Sequence, residues 1–153
     1  MLGDRLGESA GKFTGVRVLP TEGGQIKIEV SFQGRGTMLG QEITDTGTYW
    51  QTVRPGGVLY GEGHVLFMTS LGDVVDWVGG GVGRSTGPGY KASYGVWGSA
   101  QTSSEKLARL APAGDVLGQL AAVSTGLSCQ SLGHQGPPLP HPGLTQRLRS
   151  EYT

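Results

Sequence analysis

Residues 25–33 read Gln25-Ile26-Lys27-Ile28-Glu29-Val30-Ser31-Phe32-Gln33, and this stretch decides the fold. Ile26, Ile28, Val30 and Phe32 fall on one face; Lys27, Glu29 and Ser31 fall on the other. Apolar residues at every second position mark a half-buried β-strand, because successive side chains point to opposite faces. Working outward, Thr21-Glu22-Gly23-Gly24 is a turn, and Phe13 to Leu19, ended by Pro20, is a first strand. Downstream, Gln41 to Val53, Val58 to Thr69, Val74 to Gly83 and Tyr90 to Thr102 read as further strands. Arg54-Pro55-Gly56-Gly57 and Thr86-Gly87-Pro88-Gly89 turn the chain between them. Connections this short imply antiparallel neighbours in a meander.

Glycine is the compositional outlier, with 29 of 153 residues. Those glycines alternate with Val, Ile, Phe, Tyr and Trp, which separates the chain from low-complexity disorder. Several sit inside strands: Gly34-x-Gly36, Gly61-x-Gly63, Gly81-x-Gly83 and Gly95-Val96-Trp97-Gly98. Glycine persists in a strand where the sheet bends sharply or another group approaches closely. Coiling of the sheet into a small barrel meets that need, and a flat sandwich is the alternative. The expected fold class is therefore all-β, a small antiparallel meander β-barrel of about seven or eight strands, with a short helical turn and a loose C-terminal tail.

Three segments are expected: a flexible N-terminal arm over 1–11, a β-barrel domain over 12–110, and an atypical tail over 111–153. Thr102-Ser103-Ser104-Glu105 matches a capping box, so a helical turn is expected near Ser103–Leu110, with Leu107 and Leu110 on one side. Of the eleven aromatic residues, Tyr152 alone lies beyond Leu110, whereas five of the eight prolines do. Within the tail, Asp115–Ser124 reads as a helix or a weak final strand, and Gln130–Gly143 as disordered.

Lys+Arg and Asp+Glu are both 12, giving zero net charge, and the charges are scattered. That argues against nucleic acid and against an anionic membrane as partners. The single Cys129 allows no internal disulfide. Charged residues near Met1 and the lack of a run of about 18 apolar residues lead to an expectation of cytoplasmic location.

The series Lys12-Phe13-Thr14-Gly15, Gly47-Thr48-Tyr49-Trp50, Arg54-Pro55-Gly56-Gly57, Gly61-Glu62-Gly63, Gly81-Val82-Gly83, Gln101-Thr102-Ser103 and Lys106-Leu107-Ala108-Arg109-Leu110 resembles a group of small uncharacterised bacterial proteins. Those are similar in layout to the allene-oxide-cyclase and dirigent-like eight-stranded barrels. The resemblance covers about residues 12–110 and implies a barrel lumen. Family members continue after this point with an acidic and aromatic closing strand, from which Ala111 to Thr153 departs. A frameshifted or rearranged reading frame would produce such a break; the same tail in an uninterrupted frame from independent isolates would exclude it. No residue matches the polar site of allene oxide cyclases.

Tyr60, Glu62 and His64 form one row on a strand. Facing a lumen, Glu62 and His64 would supply acid–base chemistry; facing water, they are surface, and Leu59, Val65 and Phe67 opposite favour the surface reading. Glu29 is expected outside, paired across to a neighbouring strand. Asp45 and Asp76 are acids inside strands, each an inward polar group or an edge charge. Tyr49, Trp50, Tyr60, Trp77, Tyr94 and Trp97 are the expected ligand-binding residues.

The Gly79–Gly83 run is followed by Gly87-Pro88-Gly89, so a nucleotide loop opening a helix is not expected. His64, His134, His141 and Cys129 show no metal-ligand spacing, so neither metal nor cofactor is expected. The leading functional expectation is binding of a small apolar ligand in the barrel. An isomerase or cyclase of allene-oxide-cyclase type is the alternative. A structural or homo-oligomer-forming barrel with a filled core is the third reading.

Overall fold

The structure is a computed structural model that describes residues 5–110, 116–123 and 126–133. Its strands are β1 (Arg5–Leu19), β2 (Lys27–Met38), β3 (Gln41–Val53), β4 (Val58–Thr69), β5 (Val74–Ser85), β6 (Ala92–Thr102), β7 (Val116–Val123) and β8 (Gly126–Gly133). Strands β1 to β6 form one antiparallel meander, each paired with its neighbour in sequence. The backbone of β7 pairs with β6, and β8 pairs with both β7 and β1. Among the described residues no helix is long and apolar enough to cross a membrane, which says nothing of strands.

The expectation of a flexible arm over 1–11 is corrected from Arg5 onward. Arg5 to Gly11 is the first half of β1, held against β2 by pairs from Gly7↔Met38 to Gly11↔Gly34. Its polar letters hid a strand because Leu6 is its large apolar anchor, buried at 7% exposure. Strand β2 likewise runs past Gln33 to Met38, through Gly34 and Gly36. Ile26, expected in the apolar row, precedes β2 and is 62% exposed. In the tail, Val116–Val123 takes the strand alternative, and Gln130–Gly133 belongs to β8. Residues 134–153, with His134 and His141, lie outside the described residues.

Between β2 and β3 the chain turns in two residues, Leu39 (φ 48°) and Gly40 (φ 77°). Positive φ at both central positions is the hairpin turn whose twist matches the strands it joins.

Some of the mid-strand glycines seat aromatic rings, while others, such as Gly36 and Gly61, lie against carbonyl oxygens of the neighbouring strand. One inner row crosses the sheet as Phe13, Phe32, Gly47, Val65, Trp77 and Ala100. A Cβ on Gly47 would stand 2.5 Å from Phe32 Cζ. The next row runs Tyr49, Gly63, Gly79, Gly98, and Trp77 lies over its last two glycines. Their missing Cβ atoms would stand 2.5 Å from the Trp77 ring. Close approach of large side chains, the second of the two reasons for glycine in a strand, therefore operates at these positions.

Two apolar clusters fill the inner face. Leu6, Met38, Ile43, Val75 and Ala100 pack at one end with Leu107 and Leu110. Phe32, Leu59, Val65, Ala92 and Tyr94 make the other, and Phe67 and Trp77 touch both. Leu107 and Leu110 come from a 3-10 turn, Glu105–Leu110, the helical turn expected near Ser103–Leu110. Thr102 Oγ1 donates to Val74 O (2.7 Å) and accepts from Ser104 N (3.1 Å), so the hydroxyl ties the turn to β5. Three residues per turn bring Leu107 and Leu110 to the same side, and both are almost fully buried. On the outer face Arg17 and Glu29 pair at 2.7 Å, a solvated contact of small energetic weight.

Overfilling a ring seat is expected to cost about 1–3 kcal/mol. Gly98→Val should therefore lower the melting temperature by several degrees in a thermal scan. Gly95→Ala, whose added Cβ meets nothing within 4 Å, should leave it nearly unchanged.

Candidate functional site

Between the two clusters lies a cavity of about 90 Å³, room for on the order of six water-sized spheres. Its walls are apolar and aromatic: Phe32 from β2, Tyr49 from β3, Val65 and Phe67 from β4, Trp77 from β5, and Tyr94 from β6. The rings are in mutual contact. Tyr49 packs 6.2 Å from Phe32 and 6.4 Å, edge to face, from Tyr94, centroid to centroid. Tyr94 donates its hydroxyl hydrogen to Gln51 Oε1. Burial pushes the Tyr94 hydroxyl up to about 12 and raises that of Tyr49 as well, so both stay neutral.

One acid belongs to this wall. Asp45 falls on the inner face of β3 with Ile43, Gly47 and Tyr49, opposite Gly34 of β2 and Phe67 of β4. It is 3% exposed. Its Oδ1 is buried without a hydrogen-bond partner among the described residues. A Cβ on Gly34 would collide with this carboxylate, so glycine at 34 makes its space. Burial raises the Asp45 pKa above its ordinary 3.8, while the Ser9 hydroxyl and the Gly34 backbone N–H work in the opposite direction. Desolvation favours the neutral acid, and it prevails here.

The expected site residues divide between the two faces. Tyr49, Trp77 and Tyr94 line the cavity. Trp50, Tyr60 and Trp97 do not, and their assignment as ligand-binding residues is corrected. Trp50 and Tyr60 pack together on the outer face at 6.0 Å, with Lys27 over one ring and Arg54 over the other. Trp97 is 38% exposed and covers Gly80. The reason is period two: Tyr49 and Trp50 are adjacent, so one strand cannot turn both inward.

Glu62 and His64 share that outer face, as the surface reading had it. Glu62 borders the cavity between Gly61 and Gly63, but its carboxylate accepts from the Tyr60 hydroxyl at 2.7 Å. His64 Nε2 is bonded to Asp76 Oδ1, with both side chains about half exposed. Acid–base chemistry inside the cavity therefore has Asp45 as its candidate, not Glu62 or His64. Ser9, Phe32 and Leu110 are lining residues that sequence reading missed. A signal for Asp45 was present, in its parity with Ile43 and Tyr49.

No family model matches the sequence, and no curated protein does. The fold is similar to solved structures. A conserved protein of unknown function from Rhodopseudomonas palustris matches with TM-score 0.71 at 14% identity, over 86% of this chain and 98% of that one. A protein of unknown function from Clostridium acetobutylicum matches with TM-score 0.72 at 9% identity, over 88% and 100%. An enzyme from Penicillium herquei matches with TM-score 0.60 at 18% identity, over 86% and 96%. At these identities the likeness extends to the fold alone.

Because the folded state holds Asp45 neutral more readily than the unfolded chain does, its burial destabilises the fold at pH above 3.8. Asp45→Asn should raise stability at neutral pH by on the order of 1–2 kcal/mol. That gain should shrink as pH falls toward 3.8. Denaturant melts of both proteins across this range check the sign.

Proposed function

We propose that the sheet works as a closed barrel and that the protein binds a small, largely apolar ligand inside it. The observation that carries this reading is the cavity itself, walled by Phe32, Tyr49, Phe67, Trp77 and Tyr94. Small-molecule sites are concave and mostly apolar, with few polar groups, and this cavity has that character. The pairing of β1 with both β2 and β8 supports the closed arrangement. Space left between the two apolar clusters weighs against a core filled by its own side chains.

A second reading, an isomerase or cyclase acting on such a ligand, is favoured by one observation. Asp45 presents an unpartnered oxygen in an apolar surround. A carboxyl of this kind is held neutral at pH values where an exposed one is ionised, which suits a general acid.

Trp77 is the tryptophan on the cavity wall, while Trp50 and Trp97 lie outside. Titration with a panel of lipophilic probes should give saturable quenching that persists in the double variant Trp50→Phe, Trp97→Phe and vanishes in Trp77→Phe. Native mass spectrometry should show a one-to-one adduct. The absence of saturable quenching and adduct across the panel would overturn the ligand-binding reading.

A further inference from the structure

We infer that Asp45 is the recognition point of the cavity, hydrogen-bonding the carbonyl oxygen of a small and otherwise apolar ligand. This rests on the ligand-binding reading and adds the ligand's chemical class to it. The argument begins with cost. A buried oxygen without a partner is destabilising by about 1–3 kcal/mol, and buried polar groups are ordinarily satisfied. Asp45 Oδ1 is the buried side-chain oxygen or nitrogen left unpartnered among the described residues. It lies in the wall of an apolar cavity, 3% exposed, with glycine opposite clearing its space. A ligand atom there would supply the partner that the fold withholds.

The chemistry of the walls narrows the partner. Burial favours the protonated form of this carboxyl, and in that form it offers one O–H donor, which suits an acceptor oxygen. An ammonium ligand would bring three N–H donors into walls that offer few acceptors, and each unmade bond is costly. The groups facing Asp45 fit this choice. Ser9 and the Gly34 N–H engage it from β1 and β2. Phe67 stands opposite on β4, and Ile43 and Gly47 flank it on β3. The other titratable side chains on the inner wall, Tyr49 and Tyr94, remain neutral well above the carboxylate range. Glu62 borders the cavity but engages Tyr60.

The test uses two probes of nearly one shape, acetophenone and α-methylstyrene, which differ in a carbonyl oxygen against a methylene. Affinities are read by Trp77 quenching in the full-length protein. Acetophenone should bind roughly three- to tenfold more tightly, and the preference should fade as pH rises through the Asp45 pKa, where the donor is lost. Asp45→Leu should keep α-methylstyrene binding, which reports an intact cavity, and lose the preference. Asp45→Asn, whose amide also donates, should keep the preference without its pH dependence. Equal affinities for the two probes, a preference that survives Asp45→Leu, or tighter binding of 1-phenylethylamine would each overturn this inference while leaving the cavity reading intact. Binding of neither probe would overturn this inference, and the ligand-binding reading falls with it when the wider lipophilic panel also gives no saturable quenching and no adduct.

Discussion

Everything on the inner face depends on the trade between rings and glycines. A tightly curved sheet leaves little room on its inner side, and a large ring there needs space on the neighbouring strand. The chain resolves this at several positions by setting a ring against bare backbone. Phe32 lies against Gly47, and Trp77 against Gly79 and Gly98. Glycine in a strand ordinarily costs stability, through backbone entropy and the missing side-chain contact. Here the ring of a neighbouring residue restores the contact, so apolar burial is kept while the strand stays narrow.

The same arrangement leaves a cavity. Rings lying over glycines form its walls, and the two apolar clusters bound it at either end. Into that wall the chain sets Asp45, an acid on a face otherwise occupied by Ile43, Gly47 and Tyr49. The outer face shows what the same residue types do in water. There Glu62 meets Tyr60, Arg17 meets Glu29, and His64 meets Asp76 across neighbouring positions. These outer groups have partners; the acid inside is left with an open oxygen.

The strands from Phe13 to Thr102 were legible because period two and the Gly/Pro turns are local signals. Arg5–Gly11 was not, since its strand is defined by backbone pairing with β2 and β8 and by the cluster that buries Leu6, which no window of eleven residues contains. The face of each aromatic was legible in principle: Tyr49 inward required Trp50 outward. Aromatic character alone does not tell the two apart; parity along the strand does. Asp45 was visible as an odd acid in a strand. Its isolation was not, because the partners that an acid lacks depend on side chains brought from other strands. The 3-10 turn was legible from the polar run Thr102–Glu105, but not the second bond of Thr102, whose hydroxyl accepts from Ser104 N and also donates to Val74 across the sheet.

The turn carrying Leu107 and Leu110 also fixes the order in which the molecule can be completed. Each hairpin from β1 to β6 joins strands adjacent in sequence, so its loop-closure entropy is small and it can zip as it emerges from the ribosome. The cluster that gathers Leu6, Met38 and Val75 around Leu107 is of the opposite kind. It ties the first described strand to a segment made after the sixth, and it must wait for that segment. Leu110 is part of the cavity wall. The local pairings of the sheet can therefore form before the pocket is finished, and until Leu107 and Leu110 arrive that end of the apolar interior has no cover.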